Sequence, residues 1–324
     1  METKASSLPE PLPKTDRSLK RTLCALLEAT RPKQATKNLF VFAALVFAGD
    51  LFKPSLFLRA LLAFLIFCIT TGGVYLWNDI FDAERDRLHP QKRHRPIASG
   101  ALPVPLAWTA VFLLEAAGSI AAFFINLRFG ITIVAYIVLQ VAYGLILKQI
   151  VLLDVFALAA GFLLRTAGGG FAIQVGISPW LLLCTLELAL FLGFGKRRQE
   201  IVTLGPDAGK HRPILEEYSL PLLDQLIGLV VAMTLISYSV YAVESPSARS
   251  HPHLWATVPI VLYGLFRYLY LVYRKGWGGA PDEVLLQDRP LQITILLWFL
   301  LVLVLFALDG HTKGGLLGYL ILHK

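Results

Sequence analysis

Residues 78–89 read NDIFDAERDRLH and directly follow an apolar run. Asn78, Asp79, Asp82 and Asp86 therefore crowd one end of a hydrophobic helix. Asp82 comes three residues after Asp79, and Asp86 four after Asp82; at about 3.6 residues per turn these spacings return to one helix face. Carboxylates this close repel unless a cation lies between them. Hard oxygen ligands with room left for water suit Mg²⁺, whose shell is usually completed by substrate phosphates. The spacing thus predicts a metal site of Asp79, Asp82 and Asp86, with Asn78 beside it, for a substrate that carries a diphosphate.

Positive charge follows immediately. Pro90 ends the helix, and Lys92, Arg93 and Arg95 stand just beyond the acids. A phosphate–metal complex needs both: aspartates for the metal and Lys or Arg for the free phosphate oxygens. For Lys92 and Arg93 alone, solvated charge flanking a membrane is an equal reading. Further polar groups border apolar runs elsewhere: Lys37 and Asn38, Tyr143 and Lys148, and Lys196, Arg197 and Arg198. Lys37 has the plain alternative of a snorkelling lysine. The Lys196–Arg198 trio is expected to clamp an anion, with topology signalling as its alternative. Arg165 falls in the middle of an apolar run, eleven residues from Asp154, where an isolated charge is expensive. The two share a face but are too far apart to touch, so Arg165 is expected to pair with a neighbouring helix, as a structural brace or as a substrate contact.

The elements that must position these groups are membrane helices. The 324-residue chain is 56% hydrophobic and only 16% charged, with mean hydropathy +0.63. Soluble domains carry about 25% charged residues. Apolar stretches long enough to cross a bilayer recur, and nine spans are expected near 38–56, 57–77, 104–125, 129–147, 151–174, 178–195, 222–243, 255–273 and 291–308. Residues 1–16 are polar and Pro-rich, without a secretory signal, and read as a disordered tail; residues 17–324 read as one membrane domain. Residues 17–32 form an expected interfacial helix, with Leu19, Leu23, Leu26 and Leu27 on one face.

The net charge of +8 is one-sided. Basic residues concentrate before the first expected span and in the loops after the second, sixth and eighth. The positive-inside rule places the N-terminus and these loops in the cytoplasm, as a cap over a cavity that faces it, in a bacterial-type inner membrane. Because the cations border membrane spans, no nucleic-acid partner is expected. Cys24, Cys68 and Cys184 are far apart and lack metal or redox spacing.

The Asn-Asp-x-x-Asp-x-x-x-Asp run on the second of nine spans resembles the first aspartate-rich motif of the UbiA superfamily of membrane prenyltransferases. In that family two such motifs hold Mg²⁺ and a polyprenyl diphosphate. The expected position of the second motif, Asp-x-x-x-Asp, is occupied here by Lys196, Arg197, Arg198 and Glu200. With RPKQATKN (31–38), NDIFDAERDRLHPQKRHRPIASG (78–100), LLDVFALAAGFLLRTAGG (152–169), GKRRQE (195–200), LFRYLYLV (265–272) and DRPLQ (288–292), the chain is similar to the decaprenyl-phosphate phosphoribosyltransferase branch.

The resemblance implies an all-α bundle, Mg²⁺ with Mn²⁺ as alternative, 5-phosphoribosyl 1-diphosphate as donor, polyprenyl phosphate as acceptor, and a role in cell-envelope polyprenyl-phosphoryl sugar synthesis, with homo-oligomerisation left open. The chemistry agrees: prenyl and ribosyl transfer both expel diphosphate from a carbon that bears positive charge, and one metal–Asp site serves either. The donor's extra 5-phosphate would be repelled by a second acidic motif and held by Lys196–Arg198. An aromatic prenyltransferase is the runner-up, and it calls for a second carboxylate pair. A transporter with an acidic cation site is the third reading, and it calls for carboxylates at the bilayer midplane on related repeats.

Overall fold

The computed structural model describes residues 19–89, 92–279, 284–285 and 287–312, and among these there is no strand. The expected N-terminal tail, 1–16, lies outside the described residues. Helices are the form an apolar chain takes in lipid, because each satisfies its backbone polar groups internally. Prolines open several at positions where an N–H would have no partner, as at Pro54, Pro105 and Pro179.

The chain begins with α1 (Leu19–Ala29). Its Leu23 and Leu27 are exposed, and its Ala25 and Ala29 are buried with Leu76 of α3 in one core cluster. A 3₁₀ segment, Pro32–Phe42, passes into the five-residue α2 (Ala43–Phe47). Then come α3 (Pro54–Phe81), α4 (Ala83–Leu88), α5 (Val104–Ile125), α6 (Leu127–Leu145), α7 (Leu153–Ile173) and α8 (Pro179–Leu204). The short α9 (Ala208–His211) leads to α10 (Leu220–Glu244), α11 (Pro246–Ser250), α12 (Val258–Tyr270) and α13 (Arg289–Thr312).

Among the described residues, eight helices are long and apolar enough to cross a membrane: Pro54–Phe81, Val104–Ile125, Leu127–Leu145, Leu153–Ile173, Pro179–Asp207, Leu220–Ser250, Leu254–Lys275 and Arg289–Leu308. Nine were expected. The first expected span, 38–56, is instead the 3₁₀ segment with α2, and the first long helix starts at Pro54. The cause is local packing. Gly169 of α7 brings the entry segment so close that a Cβ there would lie 1.9 Å from the Val41 carbonyl oxygen. At about 2.0 Å rise per residue, the eleven 3₁₀ residues still cover roughly 22 Å.

Two packed halves meet at α7. On one side Val41, Phe67, Phe129, Ile133 and Tyr136 join the entry segment, α3 and α6. On the other, Val155 and Ala159 of α7 pack with Phe191, Phe194, Leu223, Ile227 and Tyr268 from α8, α10 and α12. Bidentate Arg267–Asp288 hydrogen bonds (3.1 and 2.8 Å) tie α12 to the start of α13. That guanidinium holds the Asp288 carboxyl below the usual carboxylate range.

Candidate active site

Asn78 and Asp79 belong to the last turn of α3, Asp82 is its C-cap, and Asp86 lies in α4. Helical hydrogen bonds continue through the junction, from Asp82 N to Asn78 O and from Asp86 N to Asp82 O. Rotation is therefore nearly regular. Asp79 and Asp86, seven apart, are separated by only about 20° around the axis, whereas Asp82 is turned about 60° from Asp79.

That rotation divides the acids. Arg95 Nη1 lies 2.6 Å from Asp86 Oδ2 and 3.2 Å from Asp79 Oδ1. Arg31 donates a second hydrogen bond to Asp79 Oδ1, and its guanidinium sits over the Tyr75 ring at 5.0 Å. Asp79 and Asp86 are both buried. Asp82 is more open and faces the 3₁₀ turn after α6 (Leu147–Gln149), where Lys148 Nζ approaches its Oδ1 at 3.7 Å. Arg31 has a left-handed backbone (φ 52, ψ 61), rare for a residue with a Cβ and typical of strained functional positions.

Asp79, Asp82 and Asp86 were expected to share one ion; here their side chains are turned to different partners. Among the described residues, no group of three or more His, Cys, Asp or Glu side chains is placed to hold a metal ion. Asp79 already answers two arginines. The least committed oxygen donors are Asn78, Asp82 and Asp86, at successive i+4 steps along one helical line. A single cationic nitrogen between two buried carboxylates shows that this end of α3 accepts concentrated positive charge. Hard oxygens of this kind, completed by phosphate, fit a divalent cation.

The facing wall is α6. Gly144 leaves room for Asn78: a Cβ there would lie 2.9 Å from Asn78 Oδ1. Tyr143 OH accepts from Arg212 Nη2 at 3.1 Å, so the turns after α8 reach back over this end. Lys37 is half-buried on the entry segment. Asn38 is fully buried and belongs to a different group: its Oδ1 accepts from Arg165 Nε at 2.7 Å and from Thr71 Oγ1 at 3.4 Å. Arg165 thus finds its partner on another element, as expected, but the partner is neutral. Lys92 is exposed and does not join the acids.

Lys196, Arg197 and Arg198 point in different directions, because consecutive helical residues lie about 100° apart. Lys196 is exposed. Arg197 is buried, with Nε 2.7 Å from Asp154 Oδ2 and Nη1 2.8 Å from Glu200 Oε2. Tyr218 OH donates to Asp154 Oδ1 at 2.6 Å and accepts from Leu152 N at 2.8 Å. Burial, and then the Asp154 carboxylate, push the Tyr218 hydroxyl well above the ordinary phenol range, so it stays protonated. Arg198 Nε donates to Asp224 Oδ1 at 2.6 Å, and its guanidinium lies 4.4 Å from the Tyr273 ring centre.

Sequence reasoning did not single out Arg31, Tyr75, Gly144, Arg212 or Tyr218 as site groups. The signal for Arg31 was available in part, since it opens the RPKQATKN segment. The others depend on which helices become neighbours.

The chain matches the UbiA prenyltransferase family over residues 38–278. It is 34% identical over 291 residues to the decaprenyl-phosphate phosphoribosyltransferase of Corynebacterium glutamicum, covering 87% of each chain. It is 32% identical to the enzyme of the same name from Mycolicibacterium smegmatis, over 86% of this chain and 91% of that one. Its fold is similar to that of a UbiA homolog from Archaeoglobus fulgidus solved with GPP and Mg²⁺, with TM-score 0.67 and 18% identity over 87% of this chain and 99% of that one. With eight helices among its described residues long and apolar enough to cross a membrane and an aspartate ladder at the end of the first, the chain belongs to the UbiA prenyltransferase family.

Proposed function

We propose that this protein transfers the 5-phosphoribosyl group of 5-phosphoribosyl 1-diphosphate to a polyprenyl phosphate of decaprenyl type, releasing diphosphate, in the synthesis of polyprenyl-phosphoryl sugars for a cell envelope. The observation that carries this reading is the cationic surround of the acidic site. Arg31, Arg95 and Lys148 meet the aspartates of the first motif, while the position of a second acidic motif is closed by the buried Arg197. A donor with three phosphates suits such a surround better than a prenyl diphosphate does. The similarity to two phosphoribosyltransferases over most of each chain supports the same choice.

Asp82 and Asp86, one helical turn apart, would hold a divalent ion, Mg²⁺ or Mn²⁺, with water and diphosphate oxygens completing its shell and Asn78 one turn before them. Bound there, the ion would offset charge on the leaving diphosphate. Arg31 and Arg95 would donate to nonbridging diphosphate oxygens, where charge grows as the C1–O bond breaks. Asp79 would be a positioning residue that holds both arginines. An oxygen of the acceptor phosphate would form the new bond to C1, and the bonding pair of the old one would leave with diphosphate. The acceptor is already anionic at neutral pH and needs no general base, and none is assigned.

The positive-inside distribution of charge supports a site that faces the cytoplasm of a bacterial-type plasma membrane, with the N-terminus on the same side. The turns after α8, which reach Tyr143 through Arg212, would cap it.

The test is direct. Purified protein in nanodiscs is incubated with radiolabelled donor, polyprenyl phosphate and Mg²⁺, and the lipid fraction is analysed. A labelled phosphoribosyl lipid is expected, absent with chelator and restored by Mg²⁺ or Mn²⁺. No labelled lipid, together with transfer of a prenyl group from geranyl diphosphate to 4-hydroxybenzoate, would overturn the proposal in favour of aromatic prenyl transfer.

A further inference from the structure

Arg165 lies near the middle of α7, 5% exposed. Its Nε and Nη2 donate to Asn38 Oδ1 and Tyr136 OH, each at 2.7 Å, and its guanidinium lies against the rings of Tyr136 and Phe162, at 4.8 and 5.3 Å. All these partners are neutral, and among the described residues no carboxylate pairs with it. A buried membrane cation without a counter-ion is costly and calls for an anion.

Geometry shows where the anion goes. Nη1 has no hydrogen-bond partner among the described residues, and neither has Gln140 on α6. Both lie against Gly161: a Cβ there would sit 3.1 Å from Gln140 Nε2 and 3.4 Å from Arg165 Nη1, in tight contact with the first. Two N–H donors, one charged, therefore stand close together and flank a gap with no protein acceptor between them. An oxyanion that enters it meets both.

The gap continues the site at the end of α3. Tyr136, Gln140, Gly144 and Lys148 follow one another at i+4 steps along α6 and the turn after it. Tyr136 meets Arg165, Gly144 makes room for Asn78, and Lys148 reaches Asp82. The level of Gln140 is one helical turn inward from Gly144, roughly 6 Å. A pentose with phosphates on C1 and C5 bridges a distance of that order, and so does an attacking phosphate drawn up to C1.

We propose that Arg165 and Gln140 form a second anion subsite, at the inner end of the aspartate site, which binds the oxygens of a phosphate monoester. Its choice of ligand rests on the transfer reading above. Two sources share this chemistry, the 5-phosphate of the donor and the phosphate of the lipid acceptor.

The experiment uses full-length protein in nanodiscs and two probes: ribose 5-phosphate for the donor, and farnesyl phosphate as a short polyprenyl monophosphate. Thermal stabilisation by each probe is titrated in wild type, Gly161→Ala, Gln140→Leu, Arg165→Lys and Arg165→Gln, and KM is measured for both substrates. Gly161→Ala fills the gap without removing a donor, and an alanine suits a helix interior better than glycine does. It is expected to weaken one probe about tenfold and to raise the matching KM equally, the scale of one charge-assisted hydrogen bond, with an unchanged or higher melting temperature of the ligand-free protein. Loss of ribose 5-phosphate binding assigns the donor, and loss of farnesyl phosphate binding assigns the acceptor. Arg165→Lys should retain more affinity than Arg165→Gln. Should both arginine variants misfold, Gly161→Ala and Gln140→Leu decide alone. Affinities for both probes within twofold of wild type in those two variants overturn the subsite and leave Arg165 as a brace, whether or not transfer occurs. Probe binding lost in Gly161→Ala, in a protein that transfers no phosphoribosyl group, leaves the subsite standing and removes the transfer reading.

Discussion

At the end of α3, Arg95 lies between Asp79 and Asp86; where α7 meets α8, Arg197 lies between Asp154 and Glu200. The chemical parts are the same, and their surroundings are opposite. The side chains of Arg31 and Arg95 are 30% and 28% exposed, so water reaches them and an incoming phosphate can compete for their donors. Arg197 and Asp154 are 1% and 0% exposed, and Tyr218 takes the remaining Asp154 oxygen. No ligand can replace that guanidinium without leaving a buried charge alone. Two carboxylates around one arginine thus make an exchangeable site in one place and a fixed joint in the other, and access decides which.

The comparison breaks most visibly at the carboxylates. Asp82→Asn and Asp86→Asn, each removing one ladder ligand, are expected to lower kcat by at least about 100-fold, the scale of a lost electrostatic contact to the transition state, with melting temperatures near wild type. Near-normal turnover in either purified variant would sink the ladder. Asp154→Asn should reverse this pattern: the buried Arg197 loses its main counter-charge, and stability should fall by about 3–5 kcal/mol. Denaturation in detergent reads that loss, and a fully stable Asp154→Asn protein would contradict the fixed joint.

Smaller effects sharpen the contrast. Arg95→Ala should raise the donor KM about tenfold, since it removes one charge-assisted contact to phosphate, with little change in the KM for polyprenyl phosphate. An unchanged donor KM would make Arg95 a partner of the aspartates only. Lys196→Ala and Arg198→Ala should be nearly silent in kinetics. Lys196 is exposed, and Arg198 belongs to Asp224 and Tyr273 near the surface, where such pairs contribute about 0–1 kcal/mol. A tenfold rise in donor KM for either would restore the clamp that the helix geometry dissolves.

How much of this was readable beforehand depended on the range of the cause. Helical spans follow from apolar length, which is local, and eight of the nine expected spans recur as long helices close to their expected positions. The span at 38–56 failed because its form is decided at Gly169, over a hundred positions away, where the backbone of Val41 needs room. The acidic run was visible because its members sit within two turns. Its partition was not, since a 60° offset matters only once Arg31, Arg95 and Lys148 arrive from other segments. The separation of the cationic trio was not legible for a related reason: neighbours in sequence are not neighbours around a helix. Arg165 was legible as an anomaly, while the identity of its neutral partners waited for α6 and the entry segment to be placed.

The knot around Arg165 also has a consequence in time. Asn38 and Arg165 are 127 residues apart, and Thr71 and Tyr136 lie between them in sequence. At a synthesis rate of about 5–20 residues per second, roughly 6–25 s pass between the emergence of Asn38 from the ribosome and that of Arg165. Throughout that interval the entry segment holds a carboxamide whose main donor has not yet been made. Stable seating of residues 32–47 is therefore an event of the second half of biogenesis, and nascent chains stalled before α7 should remain extractable or protease-sensitive at this entry segment.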